Sequence, residues 1–319
     1  MNLKKTIYRV NRKIQRMYLD RKRSDLEKHS AAHTAKIKSG DYYIIRRPVP
    51  WAGFFSNYQY VLGHILCAIE QDLIPVVDMQ DYPTLYNEPR GYHGIKNAWN
   101  YYFEDPVEVS LDKAVQSGNF ILCEPTYLPQ SERYCGEYGF PTPDAVSYYA
   151  PIIEKYLRFT PQIKEQLEET AKRFDGYSFV IGVHYRGTDM RAGTYSDHPV
   201  THILNEYIDN VERVLDQHPD AVIYLATDEE AAVTTFSNHF GNIVLSQNAF
   251  RSAASNSTQD GIHFQENNRP HHRYQMGLEV LTDAWILSKC SALICGLSNV
   301  AGAAVLWNQN NYQEIKVIR

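Results

Sequence analysis

From residue 178 to the C-terminus, apolar runs of strand length alternate with segments of helical periodicity, and few folds accept that pattern. The run over 178–185 leads to a segment with Ile203, Leu204, Tyr207, Ile208, Val211, Val214 and Leu215 on one helical face. Ala221 to Ala226 is the next strand, and 229–240 the next helix. Ile243-Val244-Leu245, a helix over 274–290, a strand Ala292 to Gly296, another helix and a final strand Glu314 to Ile318 complete the series. Repeated right-handed strand–helix–strand units build an open parallel sheet covered by helices on both faces. Three strands end in polar residues: Arg186 with Asp189, Thr227 with Asp228, and Ser298 with Asn299. In such a sheet the carboxyl ends share one edge, where ligands bind.

The first half carries a second, shorter unit of the same kind. Tyr42 to Arg46 reads as a strand, Gly53-Phe54-Phe55-Ser56-Asn57 as a turn, Tyr58 to Ile69 as a helix and Ile74 to Met79 as the next strand. The start of that helix offers unpaired backbone N–H groups to an anion, although Gly53 also suits a plain turn and Asn57 a simple cap. Between Asp81 and Pro141 the chain is rich in Tyr, Pro, Asn and Gly, with Trp99, Tyr101, Tyr102 and Phe103 beside Asn97 and Asn100. Aromatics near amides suit stacking on sugar rings as well as core packing, and half of these are expected in the core. Residues 144–174 turn helical, with Thr160-Pro161 as a cap and first-turn proline, and Asp175-Gly176 breaks the pattern. A chain of 319 residues exceeds one ordinary core and suits two domains that share a cleft. The expected division is 1–39 as a basic amphipathic helix and linker, 40–175 as a first Rossmann-like domain and 176–319 as a second.

Charge is distributed unevenly. Residues 1–23 hold nine Lys or Arg against Asp20, a local +8 that leaves −13 for the remainder of a chain of net charge −5. Leu3, Ile7, Val10, Ile14, Met17 and Tyr18 recur at three- and four-residue steps, the pattern of a helix that lies on an anionic membrane surface or packs on a partner. The basic tail and the acidic body read as separate devices. No apolar run has the length of a membrane span, and the N-terminus lacks a signal-peptide core, so a cytoplasmic protein, peripheral at the inner face of the membrane, is expected. An acidic body without a reader motif argues against nucleic acid as a partner. Five scattered cysteines, mostly in apolar surroundings, read as reduced core residues.

Several chemistries lack their motifs. There is no G-x-x-x-x-G-K-[ST] loop and no strand-linked G-x-G-x-x-G. His198 and His202 stand four apart without a convincing third metal ligand, and no D-x-D is present to hold a diphosphate through a divalent ion. A bound diphosphate would then be neutralised by side-chain cations and N–H dipoles. The loop from Gln247 to Arg273 carries Arg251, His263, Arg269, His271, His272 and Arg273, which suit a phosphate-bearing ligand.

The stretch His184-Tyr185-Arg186-Gly187-Thr188-Asp189 resembles the H-x-R-R-T-D signature of the fucosyltransferase superfamily, which includes the core and nodulation fucosyltransferases and, more distantly, protein O-fucosyltransferases. Asp283 to Val300 is similar to the second conserved segment of that superfamily, and Gly53 to Gln59 to its N-terminal glycine turn, in the expected order over most of residues 40–310. The resemblance implies a bacterial member with a GT-B-like α/β fold, two Rossmann-like domains with parallel sheets facing a central cleft. It implies GDP-fucose as donor substrate, bound mainly by the C-terminal domain, with no metal and no other cofactor. Carried over, Arg186 contacts the β-phosphate, His184 and Asp283 line the guanine and ribose site, and Ser298, Asn299 and Val300 face the diphosphate. Gly53 and Asn57 close the site from the other domain, with Thr227 and Asp228 at the adjacent strand end.

Two departures from the signature stand out. Gly187 replaces the second arginine of the R-R pair, and Met190 to Asp197 does not align where some members carry a glutamate proposed as base. Asp197 is the candidate for the group that takes the acceptor proton, with Asp189 as substitute. The expected function is a metal-independent inverting glycosyltransferase that moves fucose from GDP-fucose to a glycan hydroxyl, on a bacterial surface polysaccharide or lipid-linked oligosaccharide. A non-catalytic nucleotide-sugar or glycan binding module of the same fold is the alternative.

Overall fold

The computed structural model describes residues 3–125, 139–187, 203–252 and 267–319, with side chains described from residue 17 onward. Two parallel sheets organise it. The first has the order β2-β1-β3, built from β1 (Tyr42–Arg46), β2 (Ile74–Asp78) and β3 (Phe120–Leu122). The second has the order β6-β5-β4-β7-β8, built from β4 (Val180–Tyr185), β5 (Val222–Thr227), β6 (Val244–Leu245), β7 (Ala292–Gly296) and β8 (Glu314–Ile318). Every residue of β4 and β5 is buried, as near-continuous apolar runs must be when helices cover both faces. At the edge, β8 places Lys316 and Glu314 where the sheet ends, and such charges discourage pairing with another chain.

The helices expected from periodicity are present, with shifted starts, α6 (Leu204–Gln217) and α7 (Glu230–Phe240) among them. Helix α2 (Phe54–Glu70) begins at Phe54, so Phe54 and Phe55 are buried in its first turn and do not belong to a preceding turn. Between them, α3 (Leu111–Ser117) and β3 organise a region whose composition signals neither, because each is only one or two turns long or three residues long. Helix α4 (Pro143–Tyr156) is capped by Thr142, and α5 (Pro161–Ala171) by Thr160, whose side chain accepts from Ile163 N–H. The four cysteines described, Cys67, Cys123, Cys290 and Cys295, are all free thiols.

The N-terminal helix α1 (Leu3–Thr34) runs further than its basic segment and is not separate from the body. Leu26 is buried, and Ser30 Oγ accepts the Leu122 N–H at 2.8 Å. The helix thereby lies along β3, the open edge of the first sheet, and takes up a donor that an uncovered edge would leave exposed. Lys22 Nζ pairs with Asp81 at 2.6 Å, and Arg23 donates to the Asp81 carbonyl at 2.6 Å. No described helix is long and apolar enough to cross a membrane.

The two sheets share one apolar cluster. It runs from α2 and the 98–103 aromatics into α8 (His272–Lys289) and α9 (Asn299–Asn308). Trp99, Tyr101, Tyr102 and Phe103 are all buried in it, against the expectation that only half would be. Trp307 Nε1 on α9 donates to Tyr58 Oη on α2 at 2.9 Å, and Tyr102 Oη donates to the Tyr274 carbonyl on α8 at 2.9 Å. At Gly277 a Cβ would stand 2.2 Å from Tyr102 Oη, so the absence of a side chain there lets α8 press against the aromatic cluster of the first half.

Gly277→Ala is therefore expected to lower stability by about 1–3 kcal/mol through overpacking. Tyr102→Leu, which removes both the oxygen at 2.2 Å and the ring carbon Cζ at 2.6 Å, should shrink that penalty. Urea denaturation of the two single variants and the double variant measures the coupling; strictly additive effects would show that the two residues do not meet as described.

Candidate functional site

Along the second sheet the chain order reverses between β4 and β7: β4, β5 and β6 step outward on one side, β7 and β8 on the other. The crevice outside the carboxyl ends of strands at such a switch point is where open α/β sheets bind ligands. The residues expected to bind donor cluster there. His184, the fifth residue of β4, pairs in register with Cys295 of β7, and Arg186 follows the end of β4 directly. Ser298 sits just past β7 as the N-cap of α9, accepting Ala301 N–H at 3.1 Å. Its Oγ is also 3.2 Å from His184 Nδ1, which ties the ends of the two strands together. Burial first, and the Arg186 charge second, push the His184 pKa down to about 3, so the imidazole is neutral and links the strands without adding charge. Asn299 and Val300 open α9, and the first-turn N–H groups of a helix have no intrahelical acceptor.

The other domain reaches the same place through Tyr86 and α2. Phe54 N–H, at the start of α2, donates to Tyr86 Oη at 2.9 Å. Burial raises the Tyr86 pKa to about 12, and the positive charge of Arg186 acts against that rise, which brings Arg186 electrostatically within range of the α2 N-terminus. Gly53 is the N-cap of α2 with an extended backbone, φ −62° and ψ 161°, and a Cβ there would meet nothing within 4 Å. Neither its backbone nor its neighbours require a glycine. Asn57 is not the cap; it is buried one turn into α2, accepting from Arg47 at 3.1 Å and donating to the Ala52 carbonyl at 3.2 Å. Its role is to brace the loop that precedes the helix. Arg47, Tyr86 and Glu229 were not singled out from the sequence, because nothing in their local pattern separates them from surface or core residues.

Thr227 and Asp228 hold the Arg186 turn from the β5 side. Asp228 accepts Gly187 N–H at 3.0 Å, and Thr227 Oγ1 accepts Glu229 N–H at 3.2 Å. Gly187, the departure from the R-R pair, has a steric origin: a Cβ there would lie 2.5 Å from Glu229 Cγ and 2.0 Å from its carboxyl carbon. Glu229 is buried, so any side chain at 187 must displace it. Arg251 donates to the Thr227 carbonyl at 3.2 Å and to the Gln247 carbonyl at 2.6 Å, locking the following loop to the β5 end.

Asp283 is set back from this cluster. Its carboxylate accepts from Tyr224 Oη at 2.6 Å and from Gln247 Nε2. Tyr224 lies three residues before the end of β5, roughly 10 Å along the strand. Burial raises the Asp283 pKa from 3.8 to about 7, with the two hydrogen bonds and Arg251 opposing the rise. Asp189 and Asp197, the candidates for the base, lie outside the described residues, as do His198, His202 and His263. Among the described residues no group of three or more His, Cys, Asp or Glu is placed to hold a metal.

Two parallel sheets that share one apolar cluster, the second with a switch point between β4 and β7, form an α/β architecture of GT-B type, and comparison with known proteins bears this fold out. A family model described as alpha-(1,6)-fucosyltransferase N- and catalytic domains matches residues 125–304. The chain belongs to this fucosyltransferase family and is a glycosyltransferase. Among solved structures, NodZ alpha-1,6-fucosyltransferase soaked with GDP-fucose is similar at TM-score 0.54 and 15% identity, over 84% of this chain and 92% of that one. NodZ co-crystallized with GDP is similar at TM-score 0.51 and 14% identity, over 83% and 92% of the two chains. The fucosyltransferase NodZ from Bradyrhizobium gives TM-score 0.51 and 14% identity over 83% and 93%. At these identities the likeness is one of fold.

The raised Asp283 pKa has a measurable consequence. The folded state holds the proton more tightly than the unfolded chain, so stability falls as pH rises from about 4 to about 7. Asp78, also raised to about 7 by burial and by Asp81, contributes in the same direction. Asp283→Asn, which mimics the protonated acid, should lose less stability than wild type between pH 5 and pH 8 in urea denaturation. An unchanged loss in the variant would remove Asp283 as a source.

Proposed function

We propose that this protein is a metal-independent, inverting fucosyltransferase that transfers fucose from GDP-fucose to a glycan hydroxyl on a bacterial surface polysaccharide or lipid-linked oligosaccharide. The observation that carries this reading is the juxtaposition at the carboxyl ends of β4 and β7, where Arg186 follows His184 and His184 meets Ser298 at the start of α9, with the Tyr86-bound start of α2 within electrostatic reach of Arg186. In this reading residues 176–319 bind the donor and residues 40–175 form the acceptor side. NodZ, which shares the fold, was co-crystallized with GDP and soaked with GDP-fucose.

A leaving diphosphate gains charge as the anomeric bond breaks. An arginine fork and the dipoles of two helix starts stabilise that charge more in the transition state than in the ground state. The open space over Gly53 allows the diphosphate to approach the α2 backbone. Neutral His184 holds Ser298 and with it the α9 N-terminus, while Thr227 and Asp228 face the nucleoside side and Asp283, set back behind them, accepts from Tyr224 and Gln247. The acceptor hydroxyl attacks from the opposite face through an oxocarbenium-like transition state, with Asp197 or Asp189 taking its proton. The basic sequence of residues 1–23, of which Lys22 pairs with Asp81 and Arg23 donates to its carbonyl while Met17 and Tyr18 are exposed, suits a membrane surface on which a lipid-linked acceptor would lie.

A thermal-shift panel of GDP-fucose, GDP-mannose, UDP-sugars and CMP-sugars, with and without EDTA, tests the donor assignment. Stabilisation by GDP compounds that is indifferent to EDTA is expected; a UDP preference or a metal requirement would contradict it. Arg186→Ala should reduce donor turnover by about 100-fold or more, as loss of one positioned transition-state donor does, while leaving the melting temperature nearly unchanged. Saturable GDP binding without turnover on any glycan would instead favour a binding module.

A further inference from the structure

The acceptor side of the molecule carries one side chain that its own fold does not use. Trp51 is 61% exposed, and Val49 beside it 39%. Trp99 is buried, and Trp285 and Trp307 pack in the shared cluster, so Trp51 is the one broadly exposed indole of the chain. It makes no ring contact and no hydrogen bond among the described residues, leaving both its apolar face and its Nε1–H donor open. Scattered surface leucines need no explanation, but a tryptophan with most of its surface in solvent does, since it forgoes the burial that makes the residue worth having.

Its support is rigid. Pro48 and Pro50 fix the backbone before it. Arg47 is held by Ser56 at 3.0 Å and Asn57 at 3.1 Å, and the Ala52 carbonyl just after it receives Asn57 Nδ2 at 3.2 Å. The backbone that carries the ring is thus braced within the folded chain, which lowers the ordering cost of binding there to that of the side chain alone. The location is also specific. In the first sheet β1 lies between β2 and β3, so the chain order reverses between β1 and β3 at the carboxyl end of β1. The loop carrying Trp51 leaves from that switch point, where α/β sheets bind ligands. Only Ala52 separates Trp51 from Gly53, a span of at most ~7 Å, and Gly53 starts the helix that faces the donor crevice.

We propose that Trp51 is the stacking platform for a pyranose ring of the acceptor glycan, its flat face covering the apolar C–H face of the sugar and its Nε1–H available to a sugar oxygen. The proposal rests on the glycosyltransferase reading given above and adds to it the residue that positions the acceptor. It also relocates the sugar-stacking aromatics: the Trp99 to Phe103 group, which the sequence suggests for that task, is core.

The test is acrylamide quenching of tryptophan emission with a panel of β-linked tetrasaccharides of glucose, N-acetylglucosamine, galactose and mannose. At least one is expected to shield the accessible emission saturably in the wild type. Calorimetry with that saccharide should show Kd raised about ten-fold in Trp51→Ala and held within about three-fold in Trp51→Phe and Trp51→Tyr. GDP affinity, titrated in parallel, should be the same in wild type and Trp51→Ala. Absence of shielding by every saccharide, shielding by phosphatidylglycerol vesicles alone, or an unaltered saccharide Kd in Trp51→Ala overturns the proposal. Failure of the donor reading is distinct: a wild type that binds saccharide through Trp51 but does not bind GDP contradicts the donor assignment and leaves the platform standing.

Discussion

Everything proposed for the crevice depends on the apolar contact that fixes α2 of the first half against α8 and α9 of the second. Each sheet alone places a helix start at the end of a strand, as parallel sheets do. Only the shared packing sets the start of α2 near the strand end that bears Arg186. Tyr58 and Trp307 are joined across it by a hydrogen bond, and Gly277 and Tyr102 by close approach. A buried aromatic pair contributes about 0.5–1.5 kcal/mol beyond its area. Several such pairs in one cluster hold the halves in one arrangement at the cost of little conformational freedom.

On that frame two links hold the crevice, His184 to Ser298 and the Gly187 N–H to Asp228. His184 is uncharged because burial and Arg186 both disfavour its proton. Gly187 is fastened by a backbone N–H to Asp228, and the space where a second arginine would stand is filled by buried Glu229. Compensating carboxylates are thus kept in the walls, which leaves the Arg186 turn and the helix starts as the electropositive floor of the proposed diphosphate site.

The second sheet was legible in the sequence almost strand by strand. Long buried strands such as Val180 to Tyr185 and Val222 to Thr227 leave continuous apolar runs, and a serine cap such as Ser298 follows a general rule of helix starts. Short elements leave no such signature. Three residues of β3 and seven of α3 fall below the length at which periodicity is visible. The docking of α1 was hidden because its basic composition suggested a free surface, while Ser30, which reaches the β3 backbone, looks like any surface serine. Within the site, Arg186 was legible from its place after a strand. Tyr86 and Glu229 were not, since both act through contacts that only the three-dimensional packing creates. Trp51 lay unremarked among prolines, and it is the fold that shows it exposed at a switch point.

A crystal structure of the protein grown with GDP tests the central claim most directly. The account predicts the β-phosphate within hydrogen-bonding distance of the Arg186 guanidinium and of the first-turn N–H groups of α9, with no cation between them. A diphosphate bound away from the carboxyl end of β4, or held through a divalent ion with Arg186 turned aside, would contradict it.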